Sequence, residues 1–166
     1  MQLFVIRHAI AEDRRPDLDD AARELTWEGV RKMKEVVRGL RALDLELPRV
    51  LTSPWRRALK TAQLLAPVAS AAPVATDLLC QSPRAELLAM IAEKGETTGV
   101  VGHEPWLGEL VAWLAFGDAR RGEALCLKKG CVVELEGSAV PGGMTLISIL
   151  QPTVLRQLGK KKKKKR

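Results

Sequence analysis

The sequence predicts an α/β fold: a three-layer sandwich with a mostly parallel central sheet and helices on both faces. Three observations carry this. β-type and helical runs alternate through the first two thirds of the chain, turn-forming residues separate them, and the last third holds two strand runs flanking the turn-rich segment 137–143. The same alternation sets the only two histidines, His8 and His103, at the ends of short β-type runs. In a parallel sheet that edge is where ligands bind.

The first strand is Leu3-Phe4-Val5-Ile6, which leads directly into Arg7-His8. A polar loop rich in Asp and Arg covers residues 9–25. Thr26 is the N-cap of a helix running to about residue 43, because Val30, Met33, Val37 and Leu40 share one apolar face. Val50-Leu51-Thr52 forms the second strand, and Pro54 suits the first turn of a helix that Pro67 stops at about residue 66. A weak strand at Val74-Ala75 precedes a helix over about 83–93, with Leu87, Leu88 and Ile91 at helical spacing. The fourth strand, over 98–101, reaches the Gly102-His103 turn, and the next helix carries Leu107, Leu110, Val111 and Leu114 before Gly117-Asp118 ends it. Runs over 131–135 and 144–150 read as a hairpin at one side of the sheet, with a short closing helix over 152–158.

The 166 residues, 46% of them hydrophobic, suit one domain with a full core. The formal net charge of +7 is concentrated at one end: Lys160 to Lys165 and Arg166 supply seven cations, leaving 20 basic against 20 acidic residues elsewhere. The body is neutral. A polyanion partner is therefore an argument for the tail alone, which as a run of like charges is expected to be disordered. Cys80, Cys126 and Cys131 make neither an even disulfide set nor a C-x-x-C pair, and with two histidines they make a poor zinc site. Reduced thiols in a cytoplasmic protein without signal peptide or membrane span are expected.

Arg56 and Arg57 follow Leu51-Thr52-Ser53-Pro54, giving a third strand-to-helix junction beside those of the histidines. Fixed cationic donors stabilise a phosphoryl group in transfer, and arginine does so with a planar, permanently charged fork. A neutral imidazole adds a nucleophile that forms a phosphoramidate, which water then hydrolyses. Such chemistry needs no metal or cofactor.

These residues resemble the histidine phosphatase superfamily, which includes phosphoglycerate mutases and acid phosphatases, and within it the small SixA-like phosphohistidine phosphatases. Phe4-Val5-Ile6-Arg7-His8-Ala9 looks like the family's Arg-His-Gly motif, Leu25-Thr26-Trp27-Glu28-Gly29 its Leu-Thr-x-x-Gly helix start, and Ser53-Pro54-Trp55-Arg56-Arg57-Ala58 its Ser-Pro-x-x-Arg-Ala segment. Val101-Gly102-His103-Glu104-Pro105 resembles the second histidine motif and Leu150-Gln151-Pro152 the C-terminal ending. The likeness covers residues 1–158, one phosphoglycerate mutase-like domain, with the tail over 159–166. It implies that His8 is the phosphorylated nucleophile and that Arg7, Arg57 and His103 bind the phosphoryl group, Arg57 being preferred over Arg56 by its place in the motif. The backbone amide of Glu104 is a further anion donor, with its carboxylate as a helix cap.

Two departures from the pattern matter. Ala9 stands where the family has glycine, which disfavours a positive φ there. The stretch Leu79-Cys80-Gln81-Ser82-Pro83-Arg84 also lacks the acidic proton donor of the ester-cleaving members, leaving Glu86 and Glu12 as weak substitutes. An imidazole leaving group needs less protonation than an alkoxide, so the expected substrate is a phosphohistidine-containing protein such as a phosphorelay domain, met by a monomer. The alternatives are a small-molecule phosphomonoesterase and a non-catalytic polyanion-binding adaptor using the lysine tail.

Overall fold

A computed structural model describes residues 1–160, and the remainder of the lysine run lies outside the described residues. Six strands form one sheet: β1 (Gln2–Arg7), β2 (Arg49–Thr52), β3 (Val74–Ala75), β4 (Thr98–Gly102), β5 (Val132–Gly137) and β6 (Met144–Leu150). Their spatial order is β3-β2-β4-β1-β5-β6. The first four are parallel, while β5 is antiparallel to β1 and β6 to β5, which makes the expected hairpin one flank of the sheet.

The helices α1 (Trp27–Ala42), α2 (Arg56–Leu64), α3 (Ala85–Ala92), α4 (Trp106–Phe116) and α5 (Pro152–Leu158) cover both faces. Strand side chains alternate, so β1 sends Leu3 and Val5 into a core with Leu87 and Ile91 of α3 and Leu107 and Leu110 of α4. Phe4 and Ile6 enter the opposite core with Met33, Val36 and Leu40 of α1, Ala58 of α2 and Leu155 of α5. Burial on both faces holds the strands in register. β1 pairs with β4 so that Arg7 lies opposite Gly102, which puts the residues following them, His8 and His103, side by side.

The start of α1 shows why this position needs a glycine. Thr26 Oγ1 accepts from the Gly29 amide at 2.9 Å, while the Thr26 amide donates to the Ile10 carbonyl at 3.0 Å. A Cβ on Gly29 would stand 2.0 Å from that same carbonyl oxygen. The 9–25 loop is thereby closed against α1, and a bridge between Ala11 and Leu25 ties its two ends. Ala9 carries no strain: among the described residues the one non-glycine with positive φ is Asp44.

The helix after β2 begins later than its proline signal predicts. Pro54 precedes α2, whose N-cap is Trp55, because the Ser53 hydroxyl accepts the Trp55 amide at 3.2 Å and turns the chain before the helix starts. Pro67 falls in a short 3₁₀ turn (Ala66–Val68). At the other end, Gly159 and Lys160 still donate to α5 carbonyls, so the helical turn extends into the first residues of the expected tail. No helix among the described residues is long and apolar enough to cross a membrane.

Candidate active site

The carboxyl ends of β1, β2 and β4 each deliver one part of a buried polar cluster. His8, at 4% exposure, follows β1, and its amide donates to the Gly102 carbonyl at 3.0 Å. Its Nδ1–H donates to the Ala9 carbonyl at 2.7 Å, which leaves the lone pair on Nε2. Arg57, in the first turn of α2, aims its Nε–H at that nitrogen from 3.3 Å. Imidazole and cation therefore share one hydrogen bond.

Arg57 is 2% exposed, and Asp20 from the 9–25 loop accepts one hydrogen bond from each of its terminal nitrogens. One terminal nitrogen donates to the Asp20 carbonyl, the other to Oδ2 at 3.0 Å, and Oδ1 also pairs with Arg23 at 2.8 Å and Arg14 at 3.3 Å. One helical turn beyond Arg57, Thr61 Oγ1 donates to the Arg57 carbonyl at 2.7 Å and accepts the Ala9 amide at 3.0 Å. This binds α2 to the residue after His8.

His103 closes the other side. Its ring centroid lies 5.2 Å from that of His8. Nε2 is 2.8 Å from the Ser53 hydroxyl, which also accepts the Trp55 amide and lies 3.2 Å from Cys80 Sγ. Nδ1 of His103 is a buried ring nitrogen with no partner among the described residues. Trp55 packs on His103 at 4.6 Å and lies 4.9 Å from the Arg57 guanidinium carbon, while Trp106 meets His103 edge-on at 6.1 Å. Arg7 spends one terminal nitrogen on the Leu127 carbonyl at 2.6 Å, and its Nε has no partner among the described residues.

Burial, reinforced by Arg57, Arg7 and Lys129, lowers the His8 pKa to about 3 against the pull of the Ala9 carbonyl. Burial followed by His8 and Arg57 brings His103 to about 3 as well. Both rings are neutral at physiological pH. Burial works to raise the Asp20 carboxyl, but Arg57, Arg23 and Arg14 together hold it below the usual range. Cations thus surround two neutral imidazoles, an environment that favours an incoming dianion.

Arg7, His8, Arg57 and His103 are brought together, and Arg56 is not: it lies exposed, paired with Glu24 at 2.9 Å. The Glu104 carboxylate caps α4 by accepting the Gly108 amide at 3.3 Å, although the helix itself begins two residues later, at Trp106. Neither sequence candidate for an acid stands at the cleft. Glu12 is spent on the Glu24 amide at 3.0 Å, and Glu86 is an exposed residue of α3. Instead a cleft of about 660 Å³ opens beside Arg7, with Glu104, Glu109 and Glu123 on its wall. Burial, with help from Glu109, pushes the Glu104 carboxyl up despite the Gly108 amide and Arg7, and its Oε1 has no partner among the described residues. Asp20, Ser53 as the partner of His103, and Thr61 are site residues that the sequence reading missed. Asp20 had no signal beyond an Asp-rich loop, whereas Ser53 stood inside a recognised segment without an assigned contact and Thr61 three residues past its end.

No family model matches the chain. An uncharacterized protein of Picosynechococcus sp. is 37% identical over 146 residues, covering 84% of this chain and 87% of its own length. Among solved structures, the protein histidine phosphatase SixA complexed with tungstate superposes with a TM-score of 0.77 at 24% identity, over 93% of this chain and 99% of its own. The alpha-ribazole phosphatase from Shigella flexneri gives 0.74 at 18% identity, over 92% and 97%. Phosphoglycerate mutase from Bacillus anthracis gives 0.70 at 14%, over 96% and 97%.

Proposed function

We propose that this chain, which belongs to one family with the Picosynechococcus protein and to the histidine phosphatase superfamily by fold, is a phosphatase acting through a phosphohistidine intermediate on His8. The observation that carries this is the Nε2 lone pair of His8, fixed by the Ala9 carbonyl behind it and met by Arg57 in front. Nε2 attacks phosphorus as the bond to the leaving group breaks, and Nδ1–H stays on the Ala9 carbonyl. Arg7, Arg57, the His103 ring and the Glu104 amide hold the phosphoryl oxygens. Water then attacks the phosphorus, releasing inorganic phosphate and a neutral His8.

We infer further that the leaving group is the imidazole of a phosphohistidine on a protein such as a phosphorelay domain, met in the cytoplasm by a monomer. A phosphoramidate asks little of an acid, and the acidic donor position of ester-cleaving relatives is vacant in the 79–84 stretch. The three free cysteines suit a reducing compartment. One observation favours a second reading, a small-molecule ester phosphatase: Glu104 is a carboxyl of raised pKa with an unpartnered oxygen in the cleft.

Turnover of a phosphohistidine peptide, phosphoserine and sugar phosphates, each with the native chain and Glu104→Gln, separates the two. The first reading expects the phosphohistidine peptide to be preferred and the substitution to leave that preference in place. A preference for an ester, lost by about 100-fold in Glu104→Gln, would establish Glu104 as the general acid and overturn it.

A further inference from the structure

A recess on the α1 and α5 side of Arg7 has a charge composition unlike the neutral body around it. About 360 Å³ in volume, it is lined by Arg7, Lys32, Lys128, Lys129 and Arg156 and by no carboxylate. Ile10, Met33, Val36 and Pro152 give it an apolar floor. Two of the cations are already paired, Lys32 with Glu28 at 2.6 Å and Arg156 with Glu35 at 2.6 Å. No ion pair among the described residues holds Lys128 or Lys129.

The backbone fixes where these two lysines stand. The amide of Gly130, the next residue, is shared between the Arg7 carbonyl at 3.1 Å and the His8 carbonyl at 3.2 Å. The lysine pair is therefore pinned to the strand end that carries the nucleophile. Burial, then Arg7, Arg23 and Arg57, pushes the Lys129 ammonium below its ordinary pKa against the opposing pull of Asp13, so like charges outweigh the one carboxylate that offsets them and an added anion would relieve the cost.

We infer that the recess receives an acidic segment of the phosphoprotein, carboxylates flanking the phosphohistidine pairing with Lys128 and Lys129 while an aliphatic side chain rests on Met33 and Val36. This rests on the reading of His8 as a phosphatase nucleophile. A concave, apolar-floored recess suits peptide side chains, whereas a nucleic-acid backbone or a membrane surface presents phosphates with nothing to fill the floor. Anchoring beside the phosphoryl site adds affinity for the correct protein without altering the transfer step, so its effect falls on KM.

The test compares kcat/KM for two phosphohistidine peptides, one flanked by Glu and Leu and one by Lys and Leu, with the native chain and with Lys128→Glu/Lys129→Glu. The ratio between peptides cancels any effect on the shared phosphoryl site. The native chain is expected to favour the acidic peptide by about tenfold, chiefly through KM and less so at high salt, and the double variant to reverse the order. Equal rates on the two peptides, or an acidic preference surviving in the variant, would overturn the recess assignment alone. Absence of turnover on both would overturn the phosphohistidine reading and this inference with it.

Discussion

At the amino end of β2, Arg49 is 8% exposed and closes its hydrogen bonds on the Met90 carbonyl at 2.7 Å and the Glu93 carboxylate at 3.0 Å. Just past the carboxyl end of the same strand, Arg57 is 2% exposed and also bonds a backbone carbonyl and a carboxylate, both from Asp20. The difference lies in the remaining donor. Arg57 gives its Nε–H to an imidazole lone pair, whereas the bonds of Arg49 end on oxygens of Met90 in α3 and of Glu93 just past its end. Burial and ion pairing alone do not mark a catalytic arginine. In the proposed mechanism the mark is an acceptor that itself reacts.

Substituting each arginine breaks this comparison most sharply. Arg57→Ala is expected to lower kcat/KM by about 100- to 1000-fold, the loss typical of one preorganised donor to a reacting oxyanion. Arg49→Ala should leave kcat/KM within about twofold and instead lower the unfolding free energy by about 2 kcal/mol, read from the denaturant midpoint. Similar kinetic losses in both variants would erase the distinction.

Asp20→Asn sharpens the same comparison at smaller amplitude. Asp20 acts through Arg57 as a positioning residue, so kcat/KM should fall about tenfold and inhibition by inorganic phosphate weaken in parallel. A rise in activity would mean that the carboxylate competes with phosphate for Arg57 and would contradict the alignment role.

The carboxyl end of the sheet also responds to acid. His8 and His103 titrate at about 3 when folded and near 6.5 when unfolded, so unfolding takes up protons between those values. Their contribution to stability is complete above about pH 6.5 and is lost as pH falls toward 3, and protonation of Asp20 adds to the loss below its unfolded pKa. The denaturant midpoint should therefore drop between pH 7 and pH 5, and less steeply in His8→Gln. Histidine ring resonances titrating near 6.5 in the native protein would refute the buried, neutral pair.

Much of this was legible from local patterns. The fold class, the hairpin and the meeting of three strand ends follow from alternation and turn signals, because a parallel sheet gathers consecutive strand ends at one edge. The preference for Arg57 over Arg56 came from the resemblance, and helix geometry turns the two away from each other. Asp20 was not legible. It lies in a 17-residue loop without period, over 9–25, and meets Arg57 through a fold-level contact 37 positions away. Glu12 and Glu86 were proposed as acids by composition, but composition does not say which wall of a cleft a carboxylate reaches. Glu104 reads as a cap in the sequence, and its unpartnered oxygen depends on a cleft that it shares with residues of the distant 119–128 segment.

The account turns on a single nitrogen. Rapid acid-free quenching after mixing with a phosphohistidine peptide, followed by phosphorus NMR and peptide mapping of the trapped chain, identifies the atom that carries the phosphoryl group. Because Nδ1 of His8 is held by the Ala9 carbonyl, the phosphorus should be found on Nε2 of His8 and be absent in His8→Ala. Phosphorus on Nδ1 of His8, on His103, or on no histidine during active turnover would contradict it.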